Sequence, residues 1–91
     1  MALIPRPQDR RLIVTADDFG VADCIDNAIR SAMRIGQITA VSALTNYPRS
    51  TAALSALSTE FPTIDIGVHL NITSGPPMTD PEALSKILTS S

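Results

Sequence analysis

Short continuous apolar runs alternate along the chain with longer stretches in which apolar residues recur at helical spacing. The first run, at residues 12–14, contains only Leu, Ile and Val, which is typical of a strand buried on both faces and predicts a strand at residues 11–16. Two further runs predict strands at residues 37–46 and 64–71. The pattern therefore predicts three strands, each followed by a stretch of helical periodicity.

The helical stretches carry apolar stripes with recognisable ends. The first helix is expected over residues 21–36, with Asp23 as its N-cap and Gly36 as its stop. Asp26 falls in the first turn, where a carboxylate suits the helix dipole. The second helix is expected over residues 49–60. The stripes predicted to be buried are Val21, Ile25, Ala28, Ile29, Ala32 and Met33 in the first helix, and Ala52, Ala53, Leu54, Ala56 and Leu57 in the second.

A third helix is predicted to begin with Asp80 as N-cap and Pro81 at its first position, and to reach residue 88. Alternating strands and helices are typical of α/β proteins, in which helical crossovers join parallel strands. With 91 residues the chain suits one small domain. Residues 1–10 are expected to be a lead-in to the first strand.

Composition narrows the classes of function. The formal charge is −2 and basic residues do not cluster, which argues against a nucleic-acid partner. Cys24 is the single cysteine, so an internal disulfide is excluded and a reducing compartment fits. No apolar run approaches the ~20 residues that span a bilayer. A cytoplasmic protein with no nucleic-acid or membrane partner is therefore expected.

Candidate chemistry lies where the predicted strands end. Asp17 and Asp18 follow the first strand, and His69 lies near the end of the third. Because the carboxyl ends of parallel strands share one edge of a sheet, these three side chains can converge into a partial divalent-metal site. Asn46, at the end of the second strand, could bind substrate or fix a water molecule.

Asn71 and Thr73 follow His69 and could bind substrate in the same way. Each candidate also has a purely structural interpretation. Adjacent acids after a strand often cap a helix, a lone histidine in an apolar strand is often a hydrogen-bonded core residue, and Asn46 before Tyr47-Pro48 suits a turn. From spacing alone, a metal-assisted hydrolase and a magnesium-dependent phosphoryl-accepting domain both remain open.

Three stretches of the chain resemble one family, the YdjC/ChbG-like carbohydrate deacetylases. Residues 12–20 (Leu-Ile-Val-Thr-Ala-Asp-Asp-Phe-Gly) resemble its opening motif. Residues 66–77 (Ile-Gly-Val-His-Leu-Asn-Ile-Thr-Ser-Gly-Pro-Pro) are similar to a second motif, and residues 36–46 to the strand between them. The resemblance covers residues 11 to about 78. A phosphoryl-accepting domain is disfavoured, because it needs an acidic acceptor at the end of the third strand, where this chain has His69.

The resemblance implies an irregular (β/α) barrel of the TIM type, of which this chain would form the first three βα units, and removal of acetyl groups from N-acetylated sugars such as chitooligosaccharides. It implies that Asp18 and His69 bind a divalent metal, Mg²⁺ or Zn²⁺, and that Asp17 is the general base. Hydrolysis of the acetamide by a water that the metal activates would follow.

The chain departs from the family in length and ligands. A full (β/α) barrel requires about 200 residues or more, and the family supplies a histidine-rich motif downstream, whereas His69 is the single histidine here. Residues 11–91 are therefore expected to be a partial deacetylase domain with little or no activity by itself. It could be truncated at the carboxyl end, completed by another chain, or a small domain that has lost catalysis. Open sheet edges would favour a homo-oligomer or a complementing chain. The alternative is a non-catalytic α/β module that binds a sugar or a partner.

Overall fold

A three-stranded parallel sheet flanked by two α-helices organises the chain. The computed structural model describes residues 10–86, and their order is β1 (Thr15–Phe19), α1 (Asp23–Arg34), β2 (Ala40–Ala43), α2 (Ser50–Glu60), β3 (Asp65–Val68) and a short 3₁₀ helix (Pro81–Leu84). The strand order is β1-β2-β3. The predicted α/β arrangement of parallel strands and alternating helices is confirmed.

The register between β1 and β2 contains a β-bulge. Thr15 and Ala16 pair with Ala40 and Val41, but the next pair joins Phe19 to Ala43, so β1 carries one extra residue at this point. β2 and β3 pair without such a shift. The bulge lies at the two adjacent aspartates and so changes where their side chains can point.

The core lies where the two helices cover the sheet. Its buried residues come from every layer: Phe19, Val41 and Ala43 from the strands, Ile29 and Met33 from α1, and Ala53 and Leu57 from α2. The predicted helix stripes thus supply the core, except that Ala28, Ala52 and Ala56 are exposed. These three predictions are wrong because a sheet of only three strands covers a narrow line of each helix.

The helix ends agree with prediction at two of three positions. The backbone N–H groups of Gly36 and Gln37 close α1 onto the carbonyls of Met33 and Ala32, as a glycine stop requires. The Asp80 carboxylate accepts a hydrogen bond from the Glu82 N–H at 3.0 Å, which confirms the cap, although the helix it starts is a single 3₁₀ turn. Residues 87 and 88 of that predicted helix lie outside the described residues.

The N-cap of α1 is Ala22 and not Asp23, which is already helical. The Asp23 carboxylate caps no backbone N–H and instead pairs with Arg49. The strands are also shorter than predicted, and His69 continues the ladder beyond β3 with one bond, from its N–H to the Ala43 carbonyl at 2.8 Å. The chain then turns away from the sheet.

The first apolar run is exposed, contrary to the prediction of a doubly buried strand. β1 begins only at Thr15, and the side chains of Leu12 and Ile13 are 80% and 76% exposed. β1 is an edge strand that pairs with β2 alone among residues 10–86, so nothing in that part of the chain covers the run. No helix in the described part of the chain is long and apolar enough to cross a membrane.

Candidate functional site

The side chains of Asp18 and His69 meet at the carboxyl edge of the sheet. The Oδ1 atom of Asp18 lies 3.1 Å from the Nδ1 atom of His69, although β2 separates their strands. Two hydrogen bonds beyond the strand ends align them: the Leu44 N–H donates to the Phe19 carbonyl and the His69 N–H to that of Ala43. The predicted convergence of these two residues is confirmed.

Asp18 reaches this position because its backbone is left-handed. Its φ is +66°, a conformation that costs an L-residue on the order of 1 kcal/mol and that Asp tolerates better than most. Gly20 follows at φ +101°, and a Cβ there would lie 2.9 Å from the Leu44 carbonyl oxygen. The bend therefore requires glycine at residue 20, and it turns the Asp18 carboxylate towards His69.

Asp17 stands apart from this pair. Its side chain is exposed, and it does not line the cleft in which Asp18 and His69 lie. Asp17 thus does not join the convergence predicted for all three residues, because adjacent residues of a strand point to opposite faces. The role of Asp17 as a general base therefore stays a prediction.

Asn46 and Asn71 lie together beside the cleft and bond to each other. The Nδ2 group of Asn71 donates to Asn46 Oδ1 at 3.0 Å and to the Ser74 carbonyl at 2.7 Å. Asn46 Nδ2 donates to the carbonyls of Ser74 and Pro76 at 2.8 and 3.1 Å. Asn71 Oδ1 accepts from the backbone N–H groups of Thr73 and Ser74 at 3.2 and 3.0 Å. The two amides thus hold the loop at residues 71–76.

Other groups close this loop against the end of β2. The hydroxyls of Tyr47 and Ser74 form a short hydrogen bond, and a Cβ at Gly75, whose φ is +75°, would come within 2.7 Å of the Tyr47 ring. Thr73 is exposed and lines the cleft, as its predicted contact with substrate requires. The sequence analysis missed Tyr47 and Ser74, for which the only signal was their nearness to Asn46 and Asn71 in the chain.

A buried ionic cluster lies behind the Asp18 bend. Asp26 is only 2% exposed, and its two oxygens accept from the Gly20 N–H at 2.8 Å and from Arg49 at 2.6 Å. Arg49 also pairs with the exposed Asp23. The hydrogen bond to Asp26, with the charges of both acids, raises the pKa of Arg49, so its guanidinium stays charged. Sequence reasoning placed Asp26 in the first turn but missed this partner, which is 23 residues away.

The donor set fits part of a metal site. The Nδ1 atom of His69 is buried and has no hydrogen-bond partner among residues 10–86, although an Asp18 oxygen lies 3.1 Å from it. A carboxylate oxygen and an imidazole nitrogen that face each other without bonding suit two ligands of one cation. Among residues 10–86 no cluster of three or more His, Cys, Asp or Glu side chains could hold a metal, so the pair fits as an incomplete ligand set.

The pair lies in an open cleft of about 370 Å³. This volume falls in the range of small-molecule sites, ~300–1,000 Å³. Apolar and polar side chains both line it, and the lining residues are Asp18, Val21, Ile25, Leu44, Tyr47, His69, Leu70, Asn71, Ile72, Thr73 and Ser74.

A parallel α/β sheet with an acid–histidine pair at its carboxyl edge defines a protein whose chemistry lies at the strand ends. Comparison with known proteins makes the class specific. The sequence profile of the YdjC-like protein family matches residues 11–91, and the chain belongs to that family.

The relatives of this chain are longer than it is. A carbohydrate deacetylase of Halalkalibacterium halodurans is 38% identical over 69 residues, 76% of this chain and 29% of that protein. A chitooligosaccharide deacetylase of Salmonella paratyphi B is 36% identical over 78 residues, 86% of this chain and 31% of the relative. A crystal structure of a candidate cellobiose-phosphate cleavage protein from Enterococcus faecalis V583 superposes with a TM-score of 0.76 at 29% identity, covering 85% of this chain and 30% of that one. The chain spans about three tenths of the length of these relatives.

Proposed function

We propose that this chain supplies part of the active site of a metal-dependent carbohydrate deacetylase that removes acetyl groups from N-acetylated sugars of the chitooligosaccharide type. The observation that carries the proposal is the 3.1 Å approach of Asp18 Oδ1 to the unpartnered Nδ1 of His69. It occurs in a family whose relatives are named carbohydrate and chitooligosaccharide deacetylases. The fragment-sized chain contributes two ligands, and the remaining ligands would come from outside residues 10–86.

Asp18 and His69 would hold the divalent cation, Mg²⁺ or Zn²⁺, through Oδ1 and Nδ1. A bound divalent cation polarises an amide carbonyl and lowers the pKa of water. Asp17 is the general base that the family resemblance implies, and since its side chain does not line the cleft, it would have to turn towards the attacking water to accept its proton. Each of the three residues thus has one distinct role in hydrolysing the acetamide.

The rest of the cleft suits an acetylated sugar. Val21, Ile25 and Leu44 are among the apolar residues of its lining, against which an acetyl methyl group can be buried. Thr73, also in the lining, offers a hydroxyl to a sugar hydroxyl group. Asn46 and Asn71 spend most of their hydrogen-bonding capacity on the loop at residues 71–76, so their contribution to substrate binding would be mainly indirect.

Metal titration of the purified chain tests the proposal. We expect Mn²⁺, used as a paramagnetic substitute for Mg²⁺, to bind the wild-type chain, and we expect His69→Ala and Asp18→Asn to weaken binding at least about ten-fold because each removes a ligand. Asp17→Asn is the matched control, since it removes one carboxylate next to the site but no proposed ligand. Electron paramagnetic resonance of free Mn²⁺ gives the affinities.

Two results would count against the proposal. Equal Mn²⁺ affinity in the wild-type and His69→Ala chains would favour a non-catalytic sugar- or partner-binding module. An effect of Asp17→Asn as large as that of Asp18→Asn would show that general negative charge at the strand end, and not the Asp18–His69 geometry, attracts the cation.

A further inference from the structure

The carboxylate of Asp26 is a charged group buried in the core, and it uses both oxygens. One oxygen accepts from the Gly20 N–H at 2.8 Å and the other from the Arg49 guanidinium at 2.6 Å. A buried charge is tolerated only when it is paired and hydrogen-bonded. Asp26 therefore satisfies two separate groups, a backbone N–H that needs an acceptor and a guanidinium that needs an anion.

The first of those groups belongs to the bend that aims Asp18. Gly20 lies two residues after Asp18 and is itself buried, so its N–H has to find an acceptor within the protein. The acceptor is a side chain of α1, and Gly20 lies directly after the end of β1. The left-handed conformation at Asp18 is thus tied to α1 through one hydrogen bond.

The second group anchors the same carboxylate to α2. Arg49 directly precedes α2, and the next residue, the buried Ser50, donates to the Leu44 carbonyl at 2.6 Å. Ser50 also contacts the Gly20 carbonyl at 3.5 Å. Ser50 therefore joins the start of α2 to the end of β2 and to the Gly20 turn. These contacts restrict the backbone conformation of the bend at residues 18–20.

We propose that Asp26 is a positioning residue that holds the backbone bend at residues 18–20 in its left-handed form and thereby keeps the Asp18 carboxylate facing His69. It touches neither Asp18 nor His69 and acts through the Gly20 N–H. Its consequence for metal affinity rests on the proposed function, whereas its effect on backbone conformation does not.

The test compares three variants by NMR and metal titration. Asp26→Ala removes the acceptor, and Asp26→Asn keeps an oxygen for the Gly20 N–H. Asp23→Asn is the matched control, because Asp23 is the other acid that pairs with Arg49 but is 88% exposed and does not contact Gly20. The one-bond Cα–Hα coupling of Asp18 reports the sign of its φ. If Asp26 only stabilised the fold, its substitution would leave this coupling unchanged in the molecules that remain folded.

We expect Asp18 to leave positive φ in Asp26→Ala and to keep it in Asp26→Asn and Asp23→Asn. Mn²⁺ affinity should fall about 10- to 100-fold in Asp26→Ala, the usual effect of removing a group that orients a ligand. A folded Asp26→Ala chain in which Asp18 keeps positive φ would overturn the inference. If wild-type chain binds no Mn²⁺, the proposed function fails, but the coupling still decides the role of Asp26.

Amide hydrogen exchange of the wild-type chain keeps the inference testable if Asp26→Ala does not fold. We expect the Gly20 N–H, bonded to a buried carboxylate, to exchange much more slowly than the N–H of Ile72, a fully exposed residue outside the strands and helices. Equal exchange rates at these two positions would overturn the inference, because they would show that the Asp26 bond is not maintained in solution.

Discussion

At the scale of single residues, most polar side chains around the site form hydrogen bonds, and one buried polar atom does not. Asp26, Asn46 and Asn71 have their hydrogen-bonding groups engaged within the chain. The buried Nδ1 atom of His69 has no hydrogen-bond partner within the described range 10–86, although an Asp18 oxygen lies 3.1 Å away. Since an unsatisfied buried polar atom is costly, this is the position at which a ligand contributes most.

The amide of Asn46 gives a prediction at this scale. Asn46→Ala removes the hydrogen bonds to Ser74, Pro76 and Asn71, which are partly exposed and together stabilise the fold by about 1–2 kcal/mol. We expect the melting temperature to fall by about 4–8 °C or more. Calorimetry measures this change, and amide exchange should quicken within residues 71–76.

Asn27→Ala is the control for that substitution. Asn27 is exposed on α1, so its loss removes an amide of the same size without disturbing the loop at residues 71–76. If Asn46→Ala left the exchange of that loop unchanged, or if Asn27→Ala destabilised the chain equally, the loop would not depend on Asn46.

The sequence predicts which residues lie together at the candidate site better than it predicts how the backbone positions them. Asp18 and His69 could be paired in advance because parallel strands end at one edge. The bulge at Asp18 could not, since it depends on contacts of Gly20 with Asp26 and with the carbonyl region of Leu44, which lie far apart in sequence. For the same reason the strand-end position of Asn46 suggested substrate contact, whereas its actual partners lie 28 and 30 residues away.

At the scale of elements, the strand ends differ more from expectation than the helices do. Helical periodicity locates α1 and α2 to within a few residues, because each buries one stripe on the sheet. A strand made of consecutive apolar residues has no periodicity that shows which of its faces is buried. Its burial depends on what covers it, and all four residues of β3 are exposed.

Exposed edge strands predict self-association of the purified chain. β1 and β3 both present unpaired edges within residues 10–86, and apolar side chains such as Val68 accompany them. We expect the mass measured by light scattering to rise with protein concentration. Val68→Lys places a charge on β3 and should lower the associated fraction several-fold.

Ile35→Lys is the matched control, because Ile35 is similarly exposed, 70% against 66% for Val68, but lies at the end of α1 away from the strand edges. A monomeric wild-type chain at all concentrations would contradict edge pairing. An equal effect of both lysines would assign the association to general hydrophobicity and not to β3.

At the scale of the whole molecule, the chain is a three-stranded sheet with an open cleft at the carboxyl edge of its strands. It spans about three tenths of the relatives it matches, and its described residues bring Asp18 and His69 together in an open cleft. The fold class and family could be recognised from two motifs because those motifs form the strand ends. Exposure of residues 12–14 could not be foreseen, since a buried-strand pattern is the same whether or not its covering elements are present.

The nitrogen resonances of His69 test the central claim most directly. His69 is the single histidine, so Zn²⁺ titration followed by ¹H–¹⁵N correlation reads one imidazole without ambiguity; a Cys24→Ser background removes the exposed thiol, which also binds Zn²⁺. We predict that Zn²⁺ shifts the Nδ1 resonance to a metal-bound value and that Asp18→Asn abolishes the shift at the same Zn²⁺ concentration. An unchanged Nδ1 resonance, or coordination through Nε2 that is indifferent to Asp18, would contradict the account.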